Sequence, residues 1–257
     1  MRIFRWLMKI ALGLLLVFVL WLGYEVVTFP NIAKLRDHNP ATTSLIETRA
    51  DEARRDNQQP KRAQTWVPLE RISPNLQRAV LAGEDSNFAA HHGFDYAAIQ
   101  HAWEEAQREA AKEAKAEGDD QSSWIPPMPS FKRGASTISQ QLAKNLYLST
   151  EKSFFRKGRE AVITYFLERD LPKRRILELY LNVIEWGDGV YGAEAASQFY
   201  FKKSASNLTA REAAFLSAMI PNPRTVFNPQ TNPRRVARRQ QIILRGMPFV
   251  KMPQATG

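Results

Sequence analysis

The stretch Glu84-Asp85-Ser86-Asn87-Phe88-Ala89-Ala90-His91-His92-Gly93-Phe94-Asp95 follows directly on an apolar run at residues 79–82. The helix that ends here is predicted to begin at Ser73-Pro74, a pair typical of an N-cap and first turn. Glu84 is therefore predicted to lie in the last turn, where the negative end of the helix dipole disfavours an ionised carboxylate. This raises the pKa of Glu84 toward the range of a useful general base. The alternative is an exposed helix end with two solvated acids.

Four further segments follow in the chain, and with residues 84–95 they form an ordered series. They are G-A-S-T-I-S-Q-Q-L-A-K-N at 134–145, R-K-G-R-E at 156–160, R-I-L-E-L-Y-L-N at 175–182, and G-V-Y-G-A-E-A-A at 189–196 with Tyr200-Phe201. This series resembles the five motifs of the peptidoglycan glycosyltransferases, which polymerise the membrane-linked precursor lipid II. The likeness continues from residue 208 to residue 223. The chain length and the spelling at 134–138 are closest to the monofunctional biosynthetic transglycosylase branch.

The resemblance implies a mostly α, lysozyme-like domain with a larger helical lobe and a smaller membrane-proximal lobe, preceded by one transmembrane helix. The periodicity agrees, because apolar residues repeat at helical spacing over 154–169 and again after Pro172. Asp95 is predicted to cap one helix, and Thr209 with Glu212 forms a capping box before another. A last, arginine-rich helix is predicted over 233–247. No alternating strand pattern of any length is present.

The N-terminal segment is predicted to be an uncleaved signal anchor. Residues 1–9 form a basic flank, and residues 10–27 are apolar enough to span a bilayer, which takes roughly 20 residues. The positive flank places the N-terminus in the cytoplasm, and with the resemblance this predicts a single-pass protein of the bacterial inner membrane with a periplasmic catalytic domain. A cleaved signal peptide is disfavoured because residues 24–30 are bulky. A buried core helix is the other alternative.

The remaining chain is predicted to divide into a connector over 28–65 with a short edge element, a glycosyltransferase domain over 66–250, and a tail over 251–257. Residues 104–117 extend a helix that is poor in large apolar groups and should protrude into solvent. Residues 118–133 contain three prolines and depart from the family, whose first two motifs are usually closer together. We interpret them either as a mobile flap beside the site or as an insertion with no role.

The chain has 257 residues, no cysteine and a net charge of +10, so disulfides and thiolate sites are excluded. Residues 121–257 carry 21 basic against 9 acidic residues. This basic half could bind anionic lipid headgroups, pyrophosphate or nucleic acid. No nucleic-acid-binding motif is present. A solvated basic surface is the simpler explanation for many of these charges. The expected partners are lipid II, the nascent glycan strand and membrane lipids, with other cell-wall synthesis or division proteins and no nucleic acid.

The resemblance assigns catalysis to two carboxylates. Glu84 is expected to take the proton from the 4-hydroxyl of the acceptor N-acetylglucosamine, which attacks the donor with inversion to a β-1,4 bond. Glu160 is expected to act at the pyrophosphate, either directly or through a divalent cation such as Mg²⁺ or Mn²⁺; no organic cofactor is expected. The alternative for Glu160 is an ordinary helix ion pair with Arg156.

Substrate binding is predicted for residues of the first three motifs and their surroundings. The basic ones are Lys144, Lys152, Arg156 and Lys157, a candidate pyrophosphate clamp in which Lys152 stands where the family more often has arginine. The other members are Asp85, Phe88, Ser136, Thr137, Gln140, Gln141 and Asn145.

Two other functions fit part of the pattern. A lytic glycosidase on a similar fold could use one catalytic acid, and a non-catalytic anchored scaffold would need neither carboxylate. The S-x-x-K match at residues 149–152 lacks the S-D-N and K-T-G partners of penicillin-binding enzymes. We therefore attribute that match to chance and expect penicillin to have no effect.

Overall fold

The computed structural model describes residues 2–116, 136–148 and 154–254. The predicted flap at 118–133 and Lys152 lie outside these residues. The α-helices among them are α1 Arg2–Val27, α2 Ser44–Arg55, α3 Pro74–Glu84, α4 Tyr96–Ala116, α5 Ile138–Tyr147, α6 Phe154–Asp170, α7 Lys173–Val183, α8 Ala193–Phe201, α9 Ala210–Met219 and α10 Pro233–Gly246. Short 3₁₀ turns occur at Ile32–Arg36, Leu69–Arg71, Ala205–Asn207 and Met247–Phe249. The predicted mostly α fold is confirmed.

The strands are so short that the sequence has no alternating apolar pattern that would predict them. They are β1 Ala63–Gln64, β2 Glu185–Gly187 and β3 Val190–Tyr191, in the order β1-β3-β2. β2 and β3 pair antiparallel and β1 adds in parallel to β3, with Ala63 opposite Val190. β1 is the short edge element expected in the connector.

The helix boundaries follow from local capping. Ser73 Oγ accepts a hydrogen bond from the Asn75 amide at 3.2 Å, with proline in the first turn of α3. Asp95 Oδ1 accepts from the Ala98 amide at 2.9 Å at the start of α4. Thr209 forms the predicted capping box with Glu212 at the start of α9. Side chains that satisfy the free amides of a first turn fix where each helix begins.

Helix α1 is long and apolar enough to cross a membrane, and its most apolar window has no residue buried inside the protein. At 1.5 Å per residue its 26 residues extend about 39 Å, more than the roughly 30 Å of a hydrocarbon core. Its last two turns contact α6: the Trp21 and Phe155 rings are 5.8 Å apart, and Arg159 pairs with Glu25 at 3.4 Å. These features are those of a single-pass membrane anchor.

The connector contains a helix that the periodicity does not predict. Helix α2 is capped by Thr43, whose hydroxyl accepts from the Ile46 amide at 3.2 Å. Only Ile46 of this helix is buried, so its apolar stripe is too narrow to register in the sequence. The 3₁₀ turn before it contributes Ile32 and Leu35 to the main core. The chain between the anchor and residue 66 is thus part of the packed molecule.

One continuous core joins the helices around the end of α3, which packs against α9 and α10. Ser217 of α9 donates to the carbonyl oxygen of Ala79 at 2.8 Å. Gly83 permits this approach, because a Cβ there would lie 2.6 Å from Ser217 Oγ. The packing fixes the last turn of α3, and with it the direction in which Glu84 leaves the helix.

Candidate active site

Glu84 is the last residue of α3, and its side chain is 8% exposed. Its two carboxylate oxygens have different partners: Arg239 Nη2 of α10 donates to Oε1 at 2.8 Å, and Gln141 Nε2 of α5 donates to Oε2 at 3.0 Å. The Tyr180 hydroxyl in turn donates to Gln141 Oε1 at 2.8 Å. Three helices therefore hold one carboxylate in a defined orientation.

Burial raises the pKa of Glu84. The charge and hydrogen bond of Arg239 and the hydrogen bond of Gln141 lower it. The balance leaves the pKa above its ordinary value. Because a carboxylate has about four lone-pair positions, the two hydrogen bonds leave room for one more donor on the same group. A substrate hydroxyl approaching Glu84 would find an oriented acceptor with more than ordinary basicity.

The loop after α3 is tied to the start of α5 by Asp85. His91 Nδ1 accepts from the Gly93 amide at 3.1 Å, so Nε2 carries the proton and donates to the Asp85 carboxylate at 3.0 Å. Asp85 Oδ2 also accepts from the Ile138 amide, in the first turn of α5, at 2.9 Å. A carboxylate at a helix N-terminus is favourably placed in the helix dipole. Asp85 thereby couples the Glu84 loop to the helix that carries Gln141.

Helix α5 begins with a capping box in which Thr137 and Gln140 satisfy each other's amides. The Thr137 hydroxyl also donates to the Gly93 carbonyl oxygen at 2.7 Å. Gly93 has φ +90°, and a Cβ there would meet Thr164 Cγ2 at 2.9 Å, so only glycine fits without strain. These contacts set the path of the loop against α5 and α6.

Glu160 lies within α6 with its side chain 4% exposed. Lys157 donates to Oε1 in a short ion pair, and Arg156 Nη1 lies 3.5 Å from Oε2. Arg156 is largely buried, with 18% of its side chain exposed, whereas Lys157 is 53% exposed. The second carboxylate therefore stands among basic groups of its own helix.

Lys144 of α5 is within electrostatic reach of both carboxylates. Removal of water by the surrounding protein lowers the pKa of its ammonium, although the residue as a whole is exposed. Glu160 and Glu84 both oppose this by raising the pKa of Lys144, while Arg156 and Lys157 lower it. Both acids therefore act on one ammonium, and we name the space around it the cleft.

A cavity of about 190 Å³ adjoins this cleft. Gln141, Lys144 and Asn145 of α5 line it, opposite Tyr180 and the Pro221–Pro223 segment. Ser136, half-buried just before α5, accepts from Gln141 Nε2 with its carbonyl oxygen at 3.3 Å. One face of α5 thus presents amides and an ammonium to an open, polar space.

Comparison with known proteins identifies the family of this chain. The sequence profile of the family described as Transglycosylase matches residues 51–118 and 125–248. The chain belongs to the transglycosylase family. A biosynthetic peptidoglycan transglycosylase of Chromobacterium violaceum is 43% identical over 249 residues, covering 97% of this chain and 99% of its own length. Proteins of the same name are 44% identical in Thiobacillus denitrificans, covering 98% and 99%, and 41% identical in Laribacter hongkongensis, covering 97% and 99%.

In this transglycosylase, four residues predicted to bind substrate are buried and make internal contacts. Asp85, Thr137 and Gln140 form the contacts described above, and Phe88 is 1% exposed beneath the Lys173 ammonium, 4.2 Å from its ring centre. These contacts position the loop and α5, and the predicted role of the four residues in substrate binding stays a prediction. The sequence motif does not show which of its members are buried.

Of the other predicted residues, Lys152 is not described, and Ser136 accepts a hydrogen bond from Gln141 with its carbonyl oxygen. Glu84, Gln141, Lys144 and Asn145 lie on α3 and α5. Glu160, Arg156 and Lys157 lie on α6, where all three act on Lys144. The structure thus brings Glu84 and Glu160 near one ammonium, although the two acids are far apart in the chain.

Two residues at the site are absent from the sequence-based assignments. Arg239 is three residues after Val236, which is buried together with Ile243, so the arginine lies on the inward face of α10. An arginine on an otherwise apolar face is the signal that would have identified it. Tyr180 has the spacing of a core residue and is fully buried. Its hydroxyl contact with Gln141 and its place in the wall of the adjoining cavity link it to the site.

The residues around Glu160 do not form a protein cage for a divalent cation. Hard cations prefer several oxygen ligands, and no group of three His, Asp or Glu side chains gathers anywhere in residues 2–116, 136–148 and 154–254. Both oxygens of Glu160 face positive groups, Lys157 and Arg156. We assign no step to a metal.

Proposed function

We propose that this transglycosylase polymerises peptidoglycan glycan strands from lipid II, using Glu84 as general base. The names of its relatives supply the reaction class, and the buried Glu84 carboxylate held by Gln141 and Arg239, near the Lys144 ammonium, is the observation that carries the assignment of residues. The substrates are lipid II and the growing strand, which is itself linked to a lipid pyrophosphate.

In the proposed step, Glu84 accepts the proton of the acceptor's 4-hydroxyl as that oxygen attacks C1 of the donor N-acetylmuramic acid. The C1–oxygen bond to pyrophosphate breaks, the pyrophosphate leaves with the electron pair, and the configuration at C1 inverts. Gln141 and Arg239 hold the carboxylate still while the proton moves. An oriented base with a raised pKa contributes typically 10²- to 10⁴-fold to such a transfer.

The departing pyrophosphate gains negative charge and needs cations already in place. Arg156 and Lys157 of α6 and Lys144 of the neighbouring α5 supply them. Glu160 keeps Lys157 and Arg156 oriented and offsets their mutual repulsion. This arrangement favours the leaving group without requiring the basic side chains to reorganise during the reaction.

The anchor accounts for access to a membrane-linked substrate. With Arg2, Arg5 and Lys9 on the cytoplasmic side, the positive-inside preference directs the chain after α1 to the outer face of the inner membrane. The contact of α1 with α6, which carries Glu160, brings the pyrophosphate side of the cleft toward the bilayer.

The proposal is tested with the full-length, detergent-solubilised protein and fluorescent lipid II, by following polymer on gels. Glu84→Gln is expected to reduce turnover at least 10²-fold, while Glu70→Gln, an exposed glutamate paired with Arg174, is the matched control. Purified peptidoglycan is supplied in parallel. Release of soluble fragments without consumption of lipid II would show a lytic enzyme, and unchanged turnover in Glu84→Gln would remove Glu84 from the mechanism.

A further inference from the structure

A second polar cavity, of about 150 Å³, lies beside the active-site cleft. The end of α2, the segment that follows it and the turn between β2 and β3 enclose this space. Arg49 lines both cavities, and its guanidinium donates to the buried Glu185, which lines the cleft, at 3.0 and 3.1 Å. The two cavities are therefore neighbours, separated by the Arg49–Glu185 ion pair.

The charges around this cavity are balanced. Its lining has three basic and three acidic residues: Arg49, Lys61 and Arg224, with Glu52, Asp56 and Asp188. Most are paired, as in Arg224 with Glu52 at 3.0 Å and Lys61 with Asp188 at 2.8 Å. A site with no net charge does not select an anion, whereas donors and acceptors side by side suit a neutral, polar ligand.

Tyr191 is the side chain that points to a ligand. It is 1% exposed and lines the cavity, yet its hydroxyl makes no hydrogen bond to any residue that the structure describes. Burial raises the pKa of this phenol, so it remains a neutral donor. A ligand hydroxyl in the cavity would find a hydrogen-bond donor in this phenol.

Further hydrogen-bonding groups stand at the mouth of the cavity. The side-chain amides of Gln58 and Gln59 are exposed and have no hydrogen-bond partner within the described part of the chain. The turn opposite is held close by Gly189, with φ +72°, where a Cβ would lie 2.4 Å from Lys61 Cβ. The cavity wall is thus fixed on one side and offers free amides on the other.

We propose that this cavity binds an uncharged sugar unit of the growing glycan strand, one step outward from the catalytic cleft. The inference rests on the proposed function, because the strand in the cleft is what continues into the cavity. A pyranose presents hydroxyls that both donate and accept, as this lining requires. A unit held there keeps the strand bound between successive additions.

The test uses the full-length solubilised protein and chitotetraose, a neutral tetrasaccharide of N-acetylglucosamine, with binding measured by calorimetry or NMR titration. Tyr191→Phe is expected to weaken binding about twofold to tenfold, the effect of one net hydrogen bond. Gln58→Ala combined with Gln59→Ala, both on the surface, is expected to act in the same direction. Tyr96→Phe removes an exposed hydroxyl outside both cavities and should bind as the wild type.

Two further readouts separate this inference from the proposed function. Tyr191→Phe should also shorten the strands made from lipid II. A wild-type protein that makes no polymer would refute the proposed function. In that case the sugar-binding measurement alone tests the cavity. Binding that is lost in Lys144→Ala but unchanged in Tyr191→Phe would place the sugar in the catalytic cleft and overturn the inference. Preference for an anionic muramyl peptide, lost in Arg224→Gln, would overturn it as well.

Discussion

Arg239 places a guanidinium on the carboxylate of Glu84 and so sets the pH at which that base is ionised. Burial raises the pKa of Glu84, and Arg239 is the strongest influence lowering it. Activity should rise with pH as Glu84 loses its proton, because only the ionised form accepts one. In Arg239→Gln the lowering influence is gone, and we expect this rise to move toward higher pH.

The measurement is the pH dependence of kcat/KM on lipid II. Arg239→Gln should lose activity at neutral pH and recover part of it in alkaline buffer. Arg238→Gln, an exposed neighbour on the same helix, should retain the wild-type profile. A profile that is lowered uniformly, without displacement, would show that Arg239 supports only the fold.

Lys144 is expected to matter more than Lys157, although both carry one positive charge. Lys144 is within electrostatic reach of both acids, whereas the Lys157 side chain is 53% exposed and screened by water. We expect Lys144→Gln to lower kcat about 10²- to 10³-fold, as loss of one preorganised group commonly does. Lys157→Gln should lower it much less. The comparison uses single-turnover rates on lipid II, with the exposed Lys34→Gln as control, and equal losses in both variants would contradict it.

At the scale of elements, Asp85 joins the loop after α3 to the start of α5. Asp85→Asn removes the charge that accepts from His91 Nε2 and from the Ile138 amide, and it places an amide donor among donors. We expect a loss of about 1–3 kcal/mol in the free energy of unfolding. Thermal unfolding of the solubilised protein measures it.

The matched control for Asp85→Asn is Asp51→Asn. Asp51 pairs with Arg54 on the exposed face of α2 and should contribute no more than about 1 kcal/mol. Comparable losses in the two variants would mean that the Asp85 contacts do not organise the site.

The helices show where sequence reasoning succeeds and where it stops. Ser73, Asp95 and Thr209 predict helix starts correctly because capping depends on residues three apart or fewer. Helix α2 is missed because its burial rests on Ile46 alone. The partnership of Arg239 with Glu84 spans 155 residues, and only the packing of α10 on α3 creates it. Local chemistry is therefore predictable from the sequence, whereas the direction of a motif side chain is not.

At the scale of the whole molecule, the anchor is held to the catalytic domain by specific contacts. Arg159 of α6 pairs with Glu25 at 3.4 Å and donates to the Thr28 carbonyl oxygen at 3.1 Å. We expect Arg159→Ala to loosen this junction and to increase proteolytic cleavage between residues 28 and 43 several-fold. Limited proteolysis of the solubilised protein measures it.

Arg174→Ala removes a comparable arginine, paired with Glu70 away from the anchor, and should leave that cleavage rate unchanged. Arg159→Ala should lower polymerisation more in lipid vesicles than in detergent, because a bilayer constrains the anchor and a micelle does not. Equal effects in both environments would show that the junction has no part in presenting the cleft to its substrate.

The residue that follows Arg159 in the chain is Glu160, so the tether and the pyrophosphate side of the cleft are adjacent on one rigid helix. We therefore expect each addition to take place at a constant height above the lipid phase, set by this one helix.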